Sequence, residues 1–243
     1  MRIIVSSPSK MGNKWIKCLL SRVYDLEWII GDESPNTNIE KFSRFVSEDR
    51  FPDNTIFHQH CRYKPYLCDV IDEIPAHSVT IVRDPYDTFV SLYHWIQSRT
   101  EHDREKGRVR RKTRPRDTMV GKAIDDPVIL DYLTERYGEH LLRADEWLHS
   151  GRAIVVRYEA LHQDAVAELT RATAAISPVD RARIDTAIES CSAATMRQMS
   201  KKMVTHIRSA KVGDSHGTFT EPHLKIFRER HCALLTSLGY EVR

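Results

Sequence analysis

Lys10 and Lys14 stand in a stretch whose residue types suit an anion. Arg2 to Ser7 is a run of apolar and β-favouring residues, and Pro8 to Lys14 mixes Pro, Ser, Gly and Asn with the two lysines. From there Trp15, Ile16, Leu19, Leu20 and Val23 fall at helical spacing. A strand, a tight loop and a helix in that order aim successive backbone N–H groups at one point, at the positive end of a helix dipole, where the lysines add full charges. That is chemistry for holding a phosphate. The loop is not the usual ATP-binding one, in which a hydroxyl follows the lysine and holds magnesium. Here Gly12 is followed by Asn13, Lys14 and Trp15.

Arg83 is a second anion-directed group, since a guanidinium meets phosphate through a planar fork. It follows a buried-strand pattern, Ser78 to Val82, and precedes Asp84, which can cap a helix, and Pro85, which suits a first helical turn. Phe89, Val90, Tyr93 and Trp95 give that helix its apolar positions, with Ser91 about two turns along. Ligands of open α/β sheets bind at the carboxyl ends of strands, so this junction and the Lys10 loop can face one crevice. His58 and His60 lie two apart in an expected strand, Thr55 to His60, and so project from the same face. A metal would need a third and usually a fourth ligand, and no nearby spacing supplies them. As a general base, a histidine with an ordinary pKa of about 6.5 accepts a hydroxyl proton at neutral pH.

The rest of the chain frames these residues. Gly31 to Asn38 reads as a polar loop, and Ile39 to Ser47 and Lys64 to Ile71 as short helices. Gln97 to Pro127 is charged and poor in apolar residues, and is expected to be a mobile basic insertion or a partly frayed helix. A long helix over roughly Val128 to His149, a buried strand at Ala153 to Arg157 and alanine-rich helical sequence to about Met203 follow. Thr220 then caps a final helix with Pro222 near its start. This pattern predicts an α/β protein with three layers, α/β/α, around a central parallel sheet, as one domain over residues 1–243.

Composition bounds the function classes. A hydrophobic content of 41% with 29% charged residues is ordinary for a soluble chain, and no apolar run is long enough to span a bilayer. With only a few apolar residues after Arg2, no signal peptide is expected, which predicts a cytoplasmic protein. Cys18, Cys61, Cys68, Cys191 and Cys232 are odd in number and scattered without a CxxC, which predicts reduced thiols. The net charge of +3 does not by itself imply nucleic acid, but Arg104 to Arg116 holds eight Lys or Arg and one acid, a local field for an anion. Read as a solvated face, this run makes nucleic acid an unfavoured partner.

Four separated segments resemble sulfotransferases that use 3′-phosphoadenosine 5′-phosphosulfate (PAPS). Lys10, Met11, Gly12, Asn13, Lys14 and Trp15 match the Lys-to-Trp part of the loop Pro-Lys-Ser-Gly-Thr-Thr-Trp, although Ser9 is an extra residue and Lys14 replaces a threonine. Arg83, Pro85 and Ser91 match the 3′-phosphate segment, and Tyr158, Glu159 and Leu161 resemble Tyr-Glu-Asp-Leu, whose tyrosine contacts adenine. Arg208, Gly213, Asp214, Phe219 and Thr220 match the closing segment, with Ser209 and Ala210 in place of Lys-Gly. The resemblance implies the P-loop-like sulfotransferase architecture, sulfuryl transfer from PAPS to a hydroxyl of a small-molecule acceptor, and no metal. It implies Lys10 at the leaving bridging oxygen and His60 as catalytic base, with His58 on a supporting lysine position. It also implies Arg83, Ser91 and Arg208 at the 3′-phosphate, and Trp15 and Tyr158 near adenine. Ala193 stands where many relatives carry an adenine-stacking phenylalanine. Two other readings stay open on the sequence: a kinase using ATP and magnesium, and a nucleic-acid-binding protein using the basic run at 104–116.

Overall fold

A computed structural model describes residues 1–29, 40, 44–45, 51–105 and 115–243. In chain order the first elements are β1 (Arg2–Ser6), α1 (Asn13–Tyr24), β2 (Glu27–Trp28), β3 (Thr55–Gln59), α2 (Pro65–Asp72) and β4 (Ala76–Val82). Next come α3 (Pro85–Glu105), α4 (Pro127–Glu135), α5 (Tyr137–His149), β5 (Ile154–Arg157) and α6 (Tyr158–Gln163). The last helices are α7 (Ala165–Ile176), α8 (Arg181–Ser190), α9 (Ala193–Met199), α10 (Lys201–His206), α11 (Glu221–Ile226) and α12 (Cys232–Ser237), with a π-helical turn at Phe227–His231 between the final two.

The chain divides into two compact units, Met1–Arg83 with Arg143–Ser192, and Asp84–Leu142 with Ala193–Arg243. The first holds the sheet, in the order β2-β3-β1-β4-β5, with every neighbouring pair parallel. Parallel strands are covered on both faces and therefore read as unbroken apolar runs. Ile3, Ile4, Val5, Ile56, Phe57, Val79, Ile81 and Val82 are accordingly buried. Helix α1 adds Ile16, Leu19, Leu20 and Val23 to this core. Beside it Ile4, Phe45, Phe51, Phe57, Ile71 and Trp147 form one apolar cluster. The second unit is helical and packs around aromatic rings: Tyr86 on Phe227 at 4.2 Å and Phe89 on Tyr137 at 4.9 Å between centroids. The Tyr137 hydroxyl donates to the Pro85 carbonyl at 2.6 Å, so the buried oxygen is satisfied.

Several expectations need correction. Of the two readings of the stretch from Gln97, the helical one holds over its first part: α3 continues to Glu105, and a 3-10 turn at Pro115–Met119 follows the undescribed residues 106–114. Gln97 holds the far end of this stretch, donating from Nε2 to the Met119 carbonyl at 2.8 Å and accepting from the Gly121 N–H at 2.7 Å. Most of the basic run, the loop expected at 31–38 and most of the helix expected at 39–47 lie outside the described residues. The long helix at 128–149 is two helices, because the chain leaves helical geometry at Arg136, φ −125°. The alanine-rich region is likewise four helices, restarted by the side-chain caps Asp164, Asp180 and Ser200. Strand β2, only two residues long, has no period to detect.

The thiol expectation is overturned for one pair. Cys18 on α1 and Cys191 at the end of α8 form a disulfide, with Cα atoms 5.9 Å apart and 173 residues between them in sequence. An odd count hides a pair plus leftovers, and so long a separation leaves no local spacing to read. Cys61 and Cys232 are free thiols, one buried and one exposed.

Candidate active site

The carboxyl ends of β1, β3, β4 and β5 carry the Lys10 loop, His60, Arg83 and Tyr158 respectively, all within the first unit. Ser7 stitches the start of the loop into the sheet: its N–H donates to the Gln59 carbonyl at 3.2 Å and its hydroxyl to the Ile81 carbonyl at 2.6 Å. The Ser6 hydroxyl accepts from Gln59 Nε2 at 2.7 Å. Asn13 closes the loop on itself, Nδ2 to the Pro8 carbonyl at 2.6 Å. The strand end and the loop are thus fixed by neighbours on both sides.

Within the loop, Gly12 is required twice over. Its φ of +112° suits no other residue well, and a Cβ there would come within 2.7 Å of the Tyr158 ring. Lys10 adopts a left-handed φ of 72° although it is not glycine. Strained backbone of this kind gathers at ligand-holding loops. The N–H groups of Trp15 and Ile16 turn back to the Gly12 carbonyl and start α1, whose first turn holds no acidic side chain to compete with an anion.

Arg83 is 5% exposed and lies over the Tyr158 ring, 4.3 Å from its centroid, with Nη1 3.5 Å from the Lys10 carbonyl. A planar cation stacked on an aromatic face is held in orientation. Tyr158 meets Trp15 edge-on at 5.5 Å, and His162 packs at 4.7 Å from Tyr158 and 4.8 Å from Trp15. Burial, and then the charge of Arg83, keep the His162 pKa below the usual histidine range. His60 adjoins the loop from the other side: its Nδ1 is 2.6 Å from the Ser7 carbonyl. A carbonyl only accepts, so Nδ1 carries a proton, and in the neutral ring the lone pair is then on Nε2. The His58 and His60 rings are 5.2 Å apart.

The first unit therefore brings together the loop 10–15, His60, Arg83 and Tyr158. Ser91 and Arg208 belong to the second unit. Ser91 is half-buried on α3. Arg208 pairs with the Asp214 carboxylate, which also accepts from the Ser209 hydroxyl at 2.9 Å. Ala210, at the place of the motif's glycine, has a φ of 51°. Asp87 holds the turn that follows, accepting from the N–H groups of Gly213 at 2.7 Å and Ser215 at 2.9 Å. His162 and Asp87 escaped the sequence reading. Asp87 could have been found as the acid three residues after a capping Asp84, whereas His162 is significant only once its helix is folded beside Trp15. Among the described residues, no group of three or more His, Cys, Asp or Glu is placed to hold a metal ion.

The family model described as "Sulfotransferase domain" matches residues 1–236. The chain belongs to the sulfotransferase family. Its fold is similar to the crystal structure of mouse sulfotransferase SULT7A1 complexed with PAP, at TM-score 0.68 and 19% identity, over 96% of this chain and 83% of that one. It is also similar to retinol dehydratase in complex with androsterone and inactive cofactor PAP, at TM-score 0.61 and 14% identity, over 100% of this chain and 82% of that one. No curated protein matches the sequence. As a sulfotransferase the chain is an enzyme, with a parallel-sheet α/β fold like these neighbours. Among the described residues, no helix is long and apolar enough to cross a membrane.

Proposed function

We propose that this sulfotransferase moves a sulfuryl group from PAPS to a hydroxyl of a small-molecule acceptor. The observation that carries the reading is the buried Arg83 guanidinium, stacked on Tyr158 and reaching the carbonyl of Lys10. A nucleotide with a phosphate at each end fits a loop of N–H groups for one and a braced guanidinium for the other.

In this reading the N–H groups of the loop from Met11 to Lys14 hold the 5′-phosphate, with the Lys14 side chain beside them, and Trp15 and Tyr158 border the adenine. Arg83 takes the 3′-phosphate. The motif assigns Ser91 and Arg208 to the same phosphate. During transfer the acceptor oxygen bonds to sulfur as the sulfur–oxygen bond to the nucleotide breaks, leaving adenosine 3′,5′-bisphosphate. Charge grows on the departing oxygen, and Lys10 answers it there, where the interaction is stronger in the transition state than in the ground state. The acceptor's proton goes to His60 Nε2, whose lone pair is fixed by the bond from Nδ1 to Ser7. No step calls for a metal. Structures of retinol dehydratase with androsterone and with retinol support trying sterols and retinoids first as acceptors.

Incubation with PAPS and a panel of alcohols and phenols, followed by chromatography of nucleotide and acceptor, tests this. Equal amounts of adenosine 3′,5′-bisphosphate and sulfated acceptor are expected. Phosphorylated acceptor formed from ATP and magnesium, with none sulfated from PAPS, would favour the kinase reading instead.

A further inference from the structure

The second unit holds a polar network that the proposed chemistry leaves unexplained. Asp84 Oδ1 accepts from the N–H groups of Tyr86 at 2.7 Å and Asp87 at 3.1 Å, which caps the first turn of α3. Its other oxygen accepts from Arg243 Nη2 at 2.6 Å. Arg243 Nη1 donates to the Ser215 hydroxyl at 3.0 Å, and the Arg243 backbone N–H to the Tyr86 hydroxyl at 2.9 Å. The guanidinium also lies 4.5 Å from the centre of the Tyr86 ring. Ser215 is the residue whose N–H Asp87 holds, together with that of Gly213. One side chain therefore ties the start of α3 to the turn at Gly213–Ser215.

The chemistry at Asp84 makes this tie consequential. The carboxyl is buried, and burial raises its pKa, with the neighbouring Asp87 charge pushing the same way, while the N–H bonds and Arg243 oppose them. A buried carboxylate that loses its cation is strongly disfavoured, so its surroundings rearrange or it takes up a proton. Asp84 directly follows Arg83 in the chain, and the turn that Arg243 reaches begins five residues after Arg208. Two of the expected 3′-phosphate residues are thus each joined by a short length of backbone to a group that Arg243 holds.

We propose that Arg243 is a positioning residue for recognition of the 3′-phosphate, acting through Asp84 and Ser215 without touching the nucleotide. The inference rests on the reading of Arg83 and Arg208 as 3′-phosphate ligands. It predicts an effect confined to ligands that carry that phosphate. Removing Arg243 should loosen the backbone on which those ligands are mounted and leave the Lys10 loop as it was.

Calorimetric titration of adenosine 3′,5′-bisphosphate and of ADP into the wild-type enzyme, Arg243→Ala and Arg243→Lys separates the outcomes. Arg243→Ala should weaken the bisphosphate about tenfold and ADP by less than about twofold, the size expected when a charge-assisted bond is misaligned. Arg243→Lys, which keeps a cation beside Asp84, should recover most of the loss. In assays with PAPS the same alanine variant should show a raised KM with little change in kcat. Equal weakening of both ligands, or no weakening of either, would make Arg243 a structural residue and overturn the inference. A wild-type enzyme that binds ADP as tightly as the bisphosphate would remove the 3′-phosphate reading itself, and the inference with it.

Discussion

The proposed mechanism puts Lys10 and His60 at opposite ends of the bond being exchanged, and on that proposal their variants should fail in different ways. Lys10→Ala should lower kcat by roughly 10²-fold or more while changing the affinity for adenosine 3′,5′-bisphosphate far less, because its work is on charge that develops during transfer. Normal turnover with a raised nucleotide KM would make it a binding residue only. His60→Ala should lower the transfer rate by roughly 10²-fold with nucleotide binding intact, and with it should go the acidic limb of the pH–rate profile, in which rate rises with pH as the imidazole loses its proton. The acceptor must be an aliphatic alcohol or a phenol of high pKa, since an ionised phenol needs no base. Full activity of the variant with such an acceptor would move the base elsewhere, with His58 next. That Lys10, Gly12, Arg83 and Tyr158 follow strand ends was legible, because a strand that passes through a small-residue loop or a proline into a helix leaves a readable pattern. Arg243 was not, because its partners Asp84 and Ser215 are distant in sequence and nothing local marks it.

At the scale of elements, β1 and α1 were readable because a continuous apolar run changes to helical spacing across a glycine. What the pattern could not reveal is how α1 is tied down. Its Cys18 is linked to α8 through Cys191, and Cys18→Ser with Cys191→Ser should cost about 2–4 kcal/mol of unfolding free energy, since the bridge closes a long loop in the unfolded chain. Denaturant unfolding in the presence and absence of a dithiol reductant measures this, and identical midpoints would argue against the link. One residue earlier, Lys17 is 1% exposed and lies 4.1 Å from the centre of the Trp28 ring. Burial, helped by the charge of Lys14, pulls its pKa down from 10.5 to about 7. The unfolded chain keeps the ordinary value, so between these limits the folded protein binds fewer protons and stability rises with pH. Lys17→Met removes that titration. Its melting temperature should exceed the wild type's most at about pH 7 and below, with the gain shrinking toward about pH 10. A gain independent of pH would mean that the amine is not perturbed by its surroundings.

For the whole molecule, the parallel sheet places residues from four separated segments at the same end of the first unit, since all its strands end on the same side. That much followed from alternating strand and helix patterns, and the family model spans both compact units, from residue 1 to residue 236. The division into units was not legible, because Arg83 and Asp84 are consecutive in a motif that reads as a single segment. The central claim is that this enzyme is built around a nucleotide carrying a 3′-phosphate. Thermal unfolding with adenosine 3′,5′-bisphosphate, ADP, or ATP with magnesium tests it most directly. At about 100 times its dissociation constant the bisphosphate should add ~2.7 kcal/mol, a rise of roughly 5–10 °C, with no metal present, and ADP at the same concentration should add much less. Equal stabilisation by ADP, or stabilisation only by ATP with magnesium, would contradict the account.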